Sequence, residues 1–432
     1  MAGGARIDAV LRSALERHGN VAGVSVGLIE DYAVRGVSAG YARVSTEELL
    51  SPHHYLEAAS LSKTVATAFA IEYFRKRGVD FATASVNSLL EAAMSPWRVT
   101  LPPSLSANER HWSDWPSKVT LAMLVNHTAL GMHYVYGIPL DVCQQVLHPS
   151  LQLLDGTHEE AYGYKPLFLE REPGSTFAYS GGGFITLQHL IECTEGGKKT
   201  IEEITRPWLD AVGLRDFTFS NTSNYCAFGH LTRRKEVPGP GGRLAFPAFA
   251  AGALCTPAAL ARFLSLLARA YQGKEDSPAW LSSETAKLML GDSSLQDKGA
   301  VDFMRAKVGL GVFVATARDN KFILHQAANE GFRGVYLVCF DGPDQGNGFV
   351  LLCNGDNPAT LFQCDVCRQL LGPSVFNFSG ISFEGLADIA SFDMAGLKQE
   401  TIVNLGLKEL VLAGFSSPSS SSTSSSRISS KL

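Results

Sequence analysis

A serine and a lysine stand three residues apart at the start of an apolar stretch, in the segment EAASLSKTVATAFAIEYF. Ser60 and Lys63 are the only Ser and Lys with this spacing and order in the chain. One helical turn places both side chains on the same face. A serine hydroxyl becomes a nucleophile when a neighbouring base takes its proton, and burial lowers the pKa of a lysine. This pattern indicates a nucleophile, Ser60, assisted by Lys63, at a helix N-terminus that suits a developing oxyanion.

A capping serine followed by a solvated lysine would give the same spacing. The apolar residues after Lys63, the run VATAFAI, favour the catalytic interpretation, because a surface lysine would be poorly placed there.

A second segment, EPGSTFAYSGGGF, places Tyr179 before a serine and three glycines. The glycines predict a tight turn that gives Tyr179 little steric cover and leads into a helix. A phenol held beside a lysine loses its proton more readily and can act as a general base toward a serine. A packed tyrosine before a glycine-rich helix start is the alternative interpretation.

A third segment, FILHQAANEGFRGVYLVCF, predicts a strand that ends at His325, a turn around Gly331 and Gly334, and a further strand. A strand edge beside a nucleophilic serine can offer a backbone N–H to an oxyanion. Taken alone, His325 is equally typical of an ordinary histidine at the end of a strand.

The elements that must position these residues follow from the hydrophobic patterns. Strands are predicted near both ends of the chain, with helices and Pro- or Trp-containing loops between residues 86 and 300. The predicted strands are Val24–Glu30, Val34–Arg43, Val308–Thr316, Lys321–His325, Arg333–Asp341 and Gly348–Asn354. The predicted helices are 6–18, Leu61–Lys76, Leu121–Asn126, Phe184–Glu192, Thr200–Leu214, Pro257–Tyr271 and Ala359–Leu371.

These elements predict an α+β fold in which the N- and C-terminal strands form one antiparallel sheet flanked by helices, next to a mainly helical lobe. We expect a domain over 1–371, with a sheet lobe from 1–85 and 300–371 and a helical lobe from 86–299. A cleft between the lobes would hold the substrate. A helical extension, 372–415, and a disordered serine-rich tail, 416–432, are expected to follow.

The composition narrows the range of partners. The 432 residues are 45% hydrophobic and 18% charged, with a net charge of -5. No basic run is longer than 233–235, so nucleic-acid binding is not expected, and no apolar stretch is long enough to span a membrane. The N-terminus lacks the apolar block of a secretory signal. Eight cysteines in mostly apolar surroundings predict buried thiols, and Cys364 with Cys367 lacks partners for a zinc site. No metal or cofactor is expected.

The last three residues, Ser430, Lys431 and Leu432, form a peroxisomal address that an import receptor reads from a flexible tail. We therefore expect a peroxisomal location. A chance ending after a serine-rich segment, with a cytoplasmic location, is the alternative.

Taken together and in this order, the three segments resemble the serine beta-lactamase and penicillin-binding-protein family, in its class C, esterase-like branch. The resemblance covers roughly residues 6 to 371. LVNHTALG at 124–131, REPGSTFAYSGGGF at 171–184 and AAGALCTPAALARFL at 250–264 are also similar to segments of that branch. It implies a beta-lactamase/transpeptidase-like fold.

The resemblance also implies a role for each residue. Ser60 would be acylated, Lys63 would share its proton, and Tyr179 would be the general base or proton shuttle. The N–H of Ala328 would join that of Ser60 in the oxyanion hole. His325 falls at the family's third motif, and Arg333 lies where a carboxylate or polar substrate group would be held, unless it is a surface arginine.

Two positions depart from the family pattern. Gly181 replaces an asparagine that would contact Lys63 and the substrate, and Ala327 replaces a glycine. With His325 instead of a lysine, a fixed positive charge for a beta-lactam carboxylate is missing. The departures argue against an efficient beta-lactamase.

The sequence therefore predicts a metal-free serine hydrolase that forms an acyl-enzyme with a small-molecule ester, amide or similar carbonyl substrate. An acyltransferase with the same intermediate remains open. So do a catalytically weak scaffold or binding protein and a peptidase acting on D-amino acid substrates.

Overall fold

The two ends of the described chain meet in one antiparallel sheet of eight strands: 307–308, 313–317, 320–329, 332–341, 348–353, 23–30, 33–43 and 48–49, in that order across the sheet. The strands are β1 Gly23–Glu30, β2 Ala33–Arg43, β3 Glu48–Leu49, β4 Leu56–Glu57, β5 Ile138–Pro139, β6 Phe217–Thr218, β7 His230–Thr232, β8 Lys235–Glu236, β9 Leu244–Ala245, β10 Leu254–Cys255, β11 Lys307–Val308, β12 Phe313–Ala317, β13 Asn320–Asn329, β14 Phe332–Asp341 and β15 Gly348–Cys353. The central contact pairs β1 with β15, with Val24 opposite Cys353. The predicted joining of N- and C-terminal strands is therefore confirmed.

The computed structural model describes residues 2–103, 112–130, 135–145, 150–220, 223, 225–274, 280–291, 307–317, 319–356 and 358–370. Its helices are α1 Ala2–Arg17, α2 Ser62–Arg75, α3 Val86–Ala92, α4 Trp115–Lys118, α5 Leu121–Val125, α6 Leu140–Gln145, α7 Ser150–Leu154, α8 Glu159–Tyr162, α9 Gly181–Thr194, α10 Ile201–Ala211, α11 Pro257–Tyr271, α12 Ser283–Leu290 and α13 Pro358–Leu370. The extension 372–415, the tail 416–432 and the address Ser430–Leu432 lie outside the described residues. The proposed lobe boundaries stay a prediction.

Both faces of the sheet are buried at β1, β14 and β15, whose successive side chains point to opposite faces. On β14, Val335 and Leu337 belong to the hydrophobic cluster that contains residues of α1 and α13. Tyr336 and Val338, which alternate with them, belong to a larger cluster that includes residues of α2, α9 and α11. The side of the sheet that carries Tyr336 therefore faces the helices of the middle of the chain.

The prediction of one continuous strand over Val308–Thr316 is wrong, because the structure has two separate strands there, β11 and β12. Gly311 lies between them with a φ of 67°, and a Cβ there would collide with Thr67 of α2. Its carbonyl oxygen accepts a hydrogen bond from Thr64 Oγ1 at 2.9 Å, and its N–H donates to Val125 O at 3.0 Å. The chain therefore leaves the sheet at Gly311 and contacts α2 and α5.

The strand predicted to end at His325 continues to Asn329. Gln326, Ala327 and Ala328 pair with Val335, Gly334 and Arg333, respectively. The turn comes later, at Gly331, whose φ of 79° favours glycine. His325 therefore lies inside a strand and not at its end.

The glycines after Ser180 form the first turn of α9 instead of a separate turn. Ser180 caps this helix, because its Oγ accepts a hydrogen bond from Gly183 N–H at 3.1 Å. A Cβ at Gly183 would lie 2.5 Å from Leu124 O, so the missing side chain allows α9 to approach α5 closely.

None of the helices in the described part of the chain is long and apolar enough to cross a bilayer. The described residues also contain no group of three or more His, Cys, Asp or Glu side chains arranged to hold a metal ion. Among the residues whose side chains are described, six cysteines are free thiols, namely Cys193, Cys226, Cys255, Cys339, Cys353 and Cys367.

Candidate active site

Ser60 lies in a single 3-10 turn, Ala59–Leu61, between β4 and α2. The residue before it, Ala59, has a φ of 44°, in the left-handed region that residues with a Cβ seldom occupy. Ser62 holds this turn, because its Oγ donates to Ala59 O at 2.6 Å and accepts from Ala253 N–H at 3.1 Å. The strain is therefore fixed by tertiary contacts directly beside the candidate nucleophile.

Lys63 is 1% exposed, and its ammonium group reaches Ser60. Nζ lies 3.2 Å from Ser60 Oγ and donates to Ala250 O at 2.5 Å. Burial lowers the pKa of Lys63 to about 7. Since the neutral amine is then well populated near pH 7, Lys63 can accept the proton of Ser60.

Tyr179 completes the group that the sequence predicts. Its hydroxyl is hydrogen-bonded to Ser60, and its ring centroid lies 4.9 Å from Lys63 Nζ. Burial raises the pKa of Tyr179, and the hydrogen bond from Ser60 opposes this rise. Burial therefore opposes the proton loss expected of the phenol, and the role of Tyr179 as general base or proton relay stays a prediction.

His127 forms hydrogen bonds with the residues before and after Tyr179. Its carbonyl oxygen accepts from Ala178 N–H at 2.7 Å, and its Nδ1 accepts from Ser180 N–H at 3.0 Å. The two rings lie 4.4 Å apart between centroids. The sequence showed this residue within LVNHTALG but gave it no role, since both bonds join segments about 50 residues apart.

His325 is buried beside this group, with its ring centroid 6.1 Å from that of Tyr179. Burial, together with the nearby charge of Lys63, lowers the pKa of His325 to about 3, so the ring is neutral near pH 7. Gln326 N–H donates to its Nδ1 at 2.8 Å. This histidine supplies no fixed positive charge.

Ala328 lies where one edge of β13, the open edge, has no partner strand among the described residues. β12 pairs with β13 only between Asn320 and Leu324, while β14 pairs along the other edge as far as Asn329. Residues of one parity direct their N–H groups to the same edge of an antiparallel strand. Asn329 and Phe332 close a two-residue turn and therefore form a hydrogen-bonded pair, so the adjacent Ala328 directs its N–H away from β14, to the open edge. β13 also contacts the turn that carries Ser60.

The N–H of Ser60 is in the first turn of its helix, where such groups have no acceptor within the helix. With the N–H of Ala328 it would make up the two donors of the predicted oxyanion hole, an assignment that stays a prediction.

The structure places Arg333 elsewhere. It alternates with Tyr336 along β14 and so belongs to the face of the sheet opposite α2. Its guanidinium pairs with Asp356 at 2.5 Å and donates to Asn329 O and Phe332 O at 2.6 and 2.7 Å. Arg333 stabilises the β13–β14 hairpin, and its contact with a substrate stays a prediction.

An antiparallel sheet built from both chain ends and covered by helices defines a beta-lactamase/transpeptidase-like fold. A family model described as beta-lactamase matches residues 7–365, so this chain belongs to the beta-lactamase family, whose members are typically serine hydrolases. The fold class and the resemblance predicted from the sequence are both confirmed. No curated protein matches the chain at a significant level.

Solved structures share the fold at low identity. An octameric penicillin-binding protein homologue from Pyrococcus abyssi is 18% identical with a TM-score of 0.56, over 85% of this chain and 76% of that one. A D-amino acid amidase from Ochrobactrum anthropi SV3, solved with D-phenylalanine, is 15% identical with a TM-score of 0.57, over 81% and 90%. A penicillin-binding protein from Bacillus halodurans is 18% identical with a TM-score of 0.53, over 83% and 98%.

Proposed function

We propose that this protein is an esterase-like serine hydrolase that forms an acyl-enzyme on Ser60 with an ester, amide or related carbonyl substrate. The observation that carries the proposal is the buried Lys63, whose Nζ lies 3.2 Å from Ser60 Oγ and whose pKa is lowered to about 7. A nucleophile beside a base that is partly neutral at neutral pH is the arrangement that covalent catalysis needs.

In the first step, Ser60 Oγ attacks the carbonyl carbon while its proton passes to neutral Lys63. The negative charge that develops on the carbonyl oxygen is stabilised by the N–H groups of Ser60 and Ala328. The bond to the leaving group then breaks, and that group takes a proton from Lys63 by way of the Tyr179 hydroxyl. Water reverses the sequence: it loses a proton to the same base and attacks the ester carbonyl, and the base returns that proton to Ser60 Oγ as the acid leaves.

The neutral His325 and the glycine at position 181 support substrates without a carboxylate near the scissile bond. Neither residue offers the charge or the amide that would hold the polar groups of a beta-lactam at these positions. The amidase with the same fold is named for D-amino acid amides, but at 15% identity its substrate does not transfer to this chain.

The proposal is tested by labelling with a fluorophosphonate and reading the intact mass. We expect one adduct on the parent protein and none on Ser60→Ala. Ser51→Ala is the matched control, because Ser51 also places its hydroxyl beside a basic nitrogen, 2.9 Å from His54 Nδ1, and should keep the adduct. An unlabelled parent contradicts the proposal and supports a scaffold. An equal adduct on Ser60→Ala also contradicts it, because the reagent would then label another residue.

A p-nitrophenyl ester separates a hydrolase from an acyltransferase. A hydrolase releases p-nitrophenol continuously in water alone. A burst of one equivalent, followed by turnover only after an alcohol or amine is added, would show that the acyl group is transferred instead.

A further inference from the structure

We propose that Asn329 is a positioning residue for the acylation of Ser60 and acts through a buried contact with Glu57 and Ala251. The inference rests on the function proposed above. It concerns a side chain that does not touch the reacting atoms but joins the segments that carry them.

The contacts use both protons of one amide. Asn329 is 5% exposed, and its Nδ2 donates to Glu57 Oε2 at 2.6 Å and to Ala251 O at 3.0 Å. Glu57 is 3% exposed, so both side chains lie in the interior. Buried hydrogen bonds of this kind have a defined geometry, because their donors and acceptors cannot form hydrogen bonds with water instead.

Each partner belongs to a segment that supplies one part of the site. Glu57 ends β4 and precedes Ser60 by three residues. Ala251 follows Ala250, whose carbonyl oxygen accepts the hydrogen bond from Lys63. Asn329 itself follows Ala328 on β13. One amide therefore sets the distances among the nucleophile, the acceptor that orients the lysine, and the oxyanion donor.

This contact matters because, among the described strands, none pairs with the open edge of β13 after Leu324. The hairpin to β14 fixes Ala328 in the plane of the sheet, and Asn329 fixes the same end against β4. A displacement of about 1 Å between reacting groups can cost about 100-fold in rate. The contact thus acts on geometry at the step in which the oxyanion forms.

The amide of Asn329 is a suitable partner for the carboxyl group of Glu57 in its neutral form. Burial raises the pKa of Glu57 to about 8, and the hydrogen bond from Asn329 and the charge of Arg243 oppose this rise. The carboxyl group is therefore mostly neutral near pH 7, where it accepts from a neutral donor without leaving a buried charge unpaired. An aspartate at position 329 would bring a second acid and remove both donors.

The test compares Asn329→Ala with Asn354→Ala. Asn354 is the matched control, because it is another buried asparagine whose Nδ2 joins separate segments, donating to Tyr41 O, Ala42 O and Phe228 O at 3.0, 3.1 and 2.9 Å. The rate of fluorophosphonate labelling and the kcat and KM for a p-nitrophenyl ester are measured at a temperature where circular dichroism shows every variant folded.

We expect Asn329→Ala to lower the labelling rate and kcat about 10- to 100-fold with little change in KM. Asn354→Ala should lower Tm while its labelling rate stays within about threefold of the parent. Glu57→Gln keeps an acceptor for the amide and should be far more active than Glu57→Leu, which should resemble Asn329→Ala.

If the fluorophosphonate labels Asn329→Ala as fast as the parent, the positioning role is overturned and the proposed function is left intact. Equal losses in Asn329→Ala and Asn354→Ala overturn it as well, because they indicate a general effect of stability. A parent that the fluorophosphonate does not label overturns the proposed function, and the positioning role with it.

Discussion

At the scale of single residues, the site depends on burial, which shifts the pKa values of Lys63 and Tyr179 in opposite directions. The pKa of Lys63 falls to about 7, while that of Tyr179 rises. Both shifts favour the neutral form of the group, because a low-dielectric interior disfavours charge. A neutral amine and a neutral phenol beside one serine can pass a proton in either direction without separating charge in the resting state.

The first prediction follows from the lowered pKa of Lys63. Its neutral form is the base, so the rate of acylation should rise with pH through about 7 and then level off. Lys63→Met should remove this dependence and lower the rate by about 100- to 10,000-fold. The pH profile of fluorophosphonate labelling measures both effects.

Lys76→Met, at the exposed end of the same helix, is the control and should keep the profile of the parent. A flat profile in the parent between pH 5.5 and 8.5 would exclude Lys63 as the base. This range brackets the expected midpoint.

The second prediction concerns His127, which orients Tyr179. His127→Phe keeps an aromatic ring against Tyr179 but removes the acceptor for Ser180 N–H. We expect kcat for a p-nitrophenyl ester to fall about tenfold with KM nearly unchanged, because the relay is misplaced while the binding surface is kept. His53→Ala, at an exposed position, should have no effect. An unchanged kcat in His127→Phe would show that the ring contact alone positions Tyr179.

At the scale of elements, the nucleophile sits where a strand passes into a helix through a strained residue. The third prediction is that Ala59→Gly raises the free energy of unfolding by about 1 kcal/mol, because glycine adopts a φ of 44° without the steric cost of a Cβ. Urea denaturation followed by circular dichroism measures the change.

Ala58→Gly is the matched control for this substitution. Ala58 has a φ of -72°, which alanine adopts freely, so glycine there should lower stability by about 1 kcal/mol. If the two substitutions change stability in the same direction, the turn before Ser60 is not strained.

The elements also show what the sequence can and cannot predict. Pro257–Tyr271 was predicted with its observed bounds, because it begins after the capping residue Thr256 with proline in its first turn and repeats apolar residues at helical spacing. The end of β13 was not predicted, because Gln326, Ala327 and Ala328 do not alternate in polarity. Their strand conformation comes from pairing with β14, which local sequence does not report.

The same limit applies inside the site. Ser60 and Lys63 are three residues apart and could be found from spacing alone. Tyr179 and Ala328 needed the family resemblance, since nothing local relates them to Ser60. The amide contact between Asn329 and Glu57 spans 272 residues and joins a common asparagine to a common glutamate, so neither the composition nor the periodicity of the sequence marks it.

At the scale of the whole molecule, the site is assembled from distant parts of the chain. Ser60 comes from the N-terminal part, Tyr179 and Ala250 from the helical middle, and Ala328 from the C-terminal strands. The sheet joins the outer two parts, since β1 lies between β2 and β15. The nucleophile and the predicted oxyanion donor are joined through this pairing, so we expect activity to appear only after strands from both ends have paired.

The last prediction concerns the tail, 416–432, for which we propose a targeting role when Leu432 carries a free carboxylate. Its serine-rich composition predicts an unfolded segment, which an import receptor needs in order to reach the final tripeptide. A fluorescent reporter ending in 416–432 should therefore co-localise with a peroxisomal marker, and deletion of Lys431 and Leu432 should leave it in the cytoplasm. Deletion of Ser424 and Ser425 shortens the tail equally but keeps the tripeptide, so import should persist. Import without the last two residues would refute the proposal, because the receptor would then be reading something other than the tripeptide.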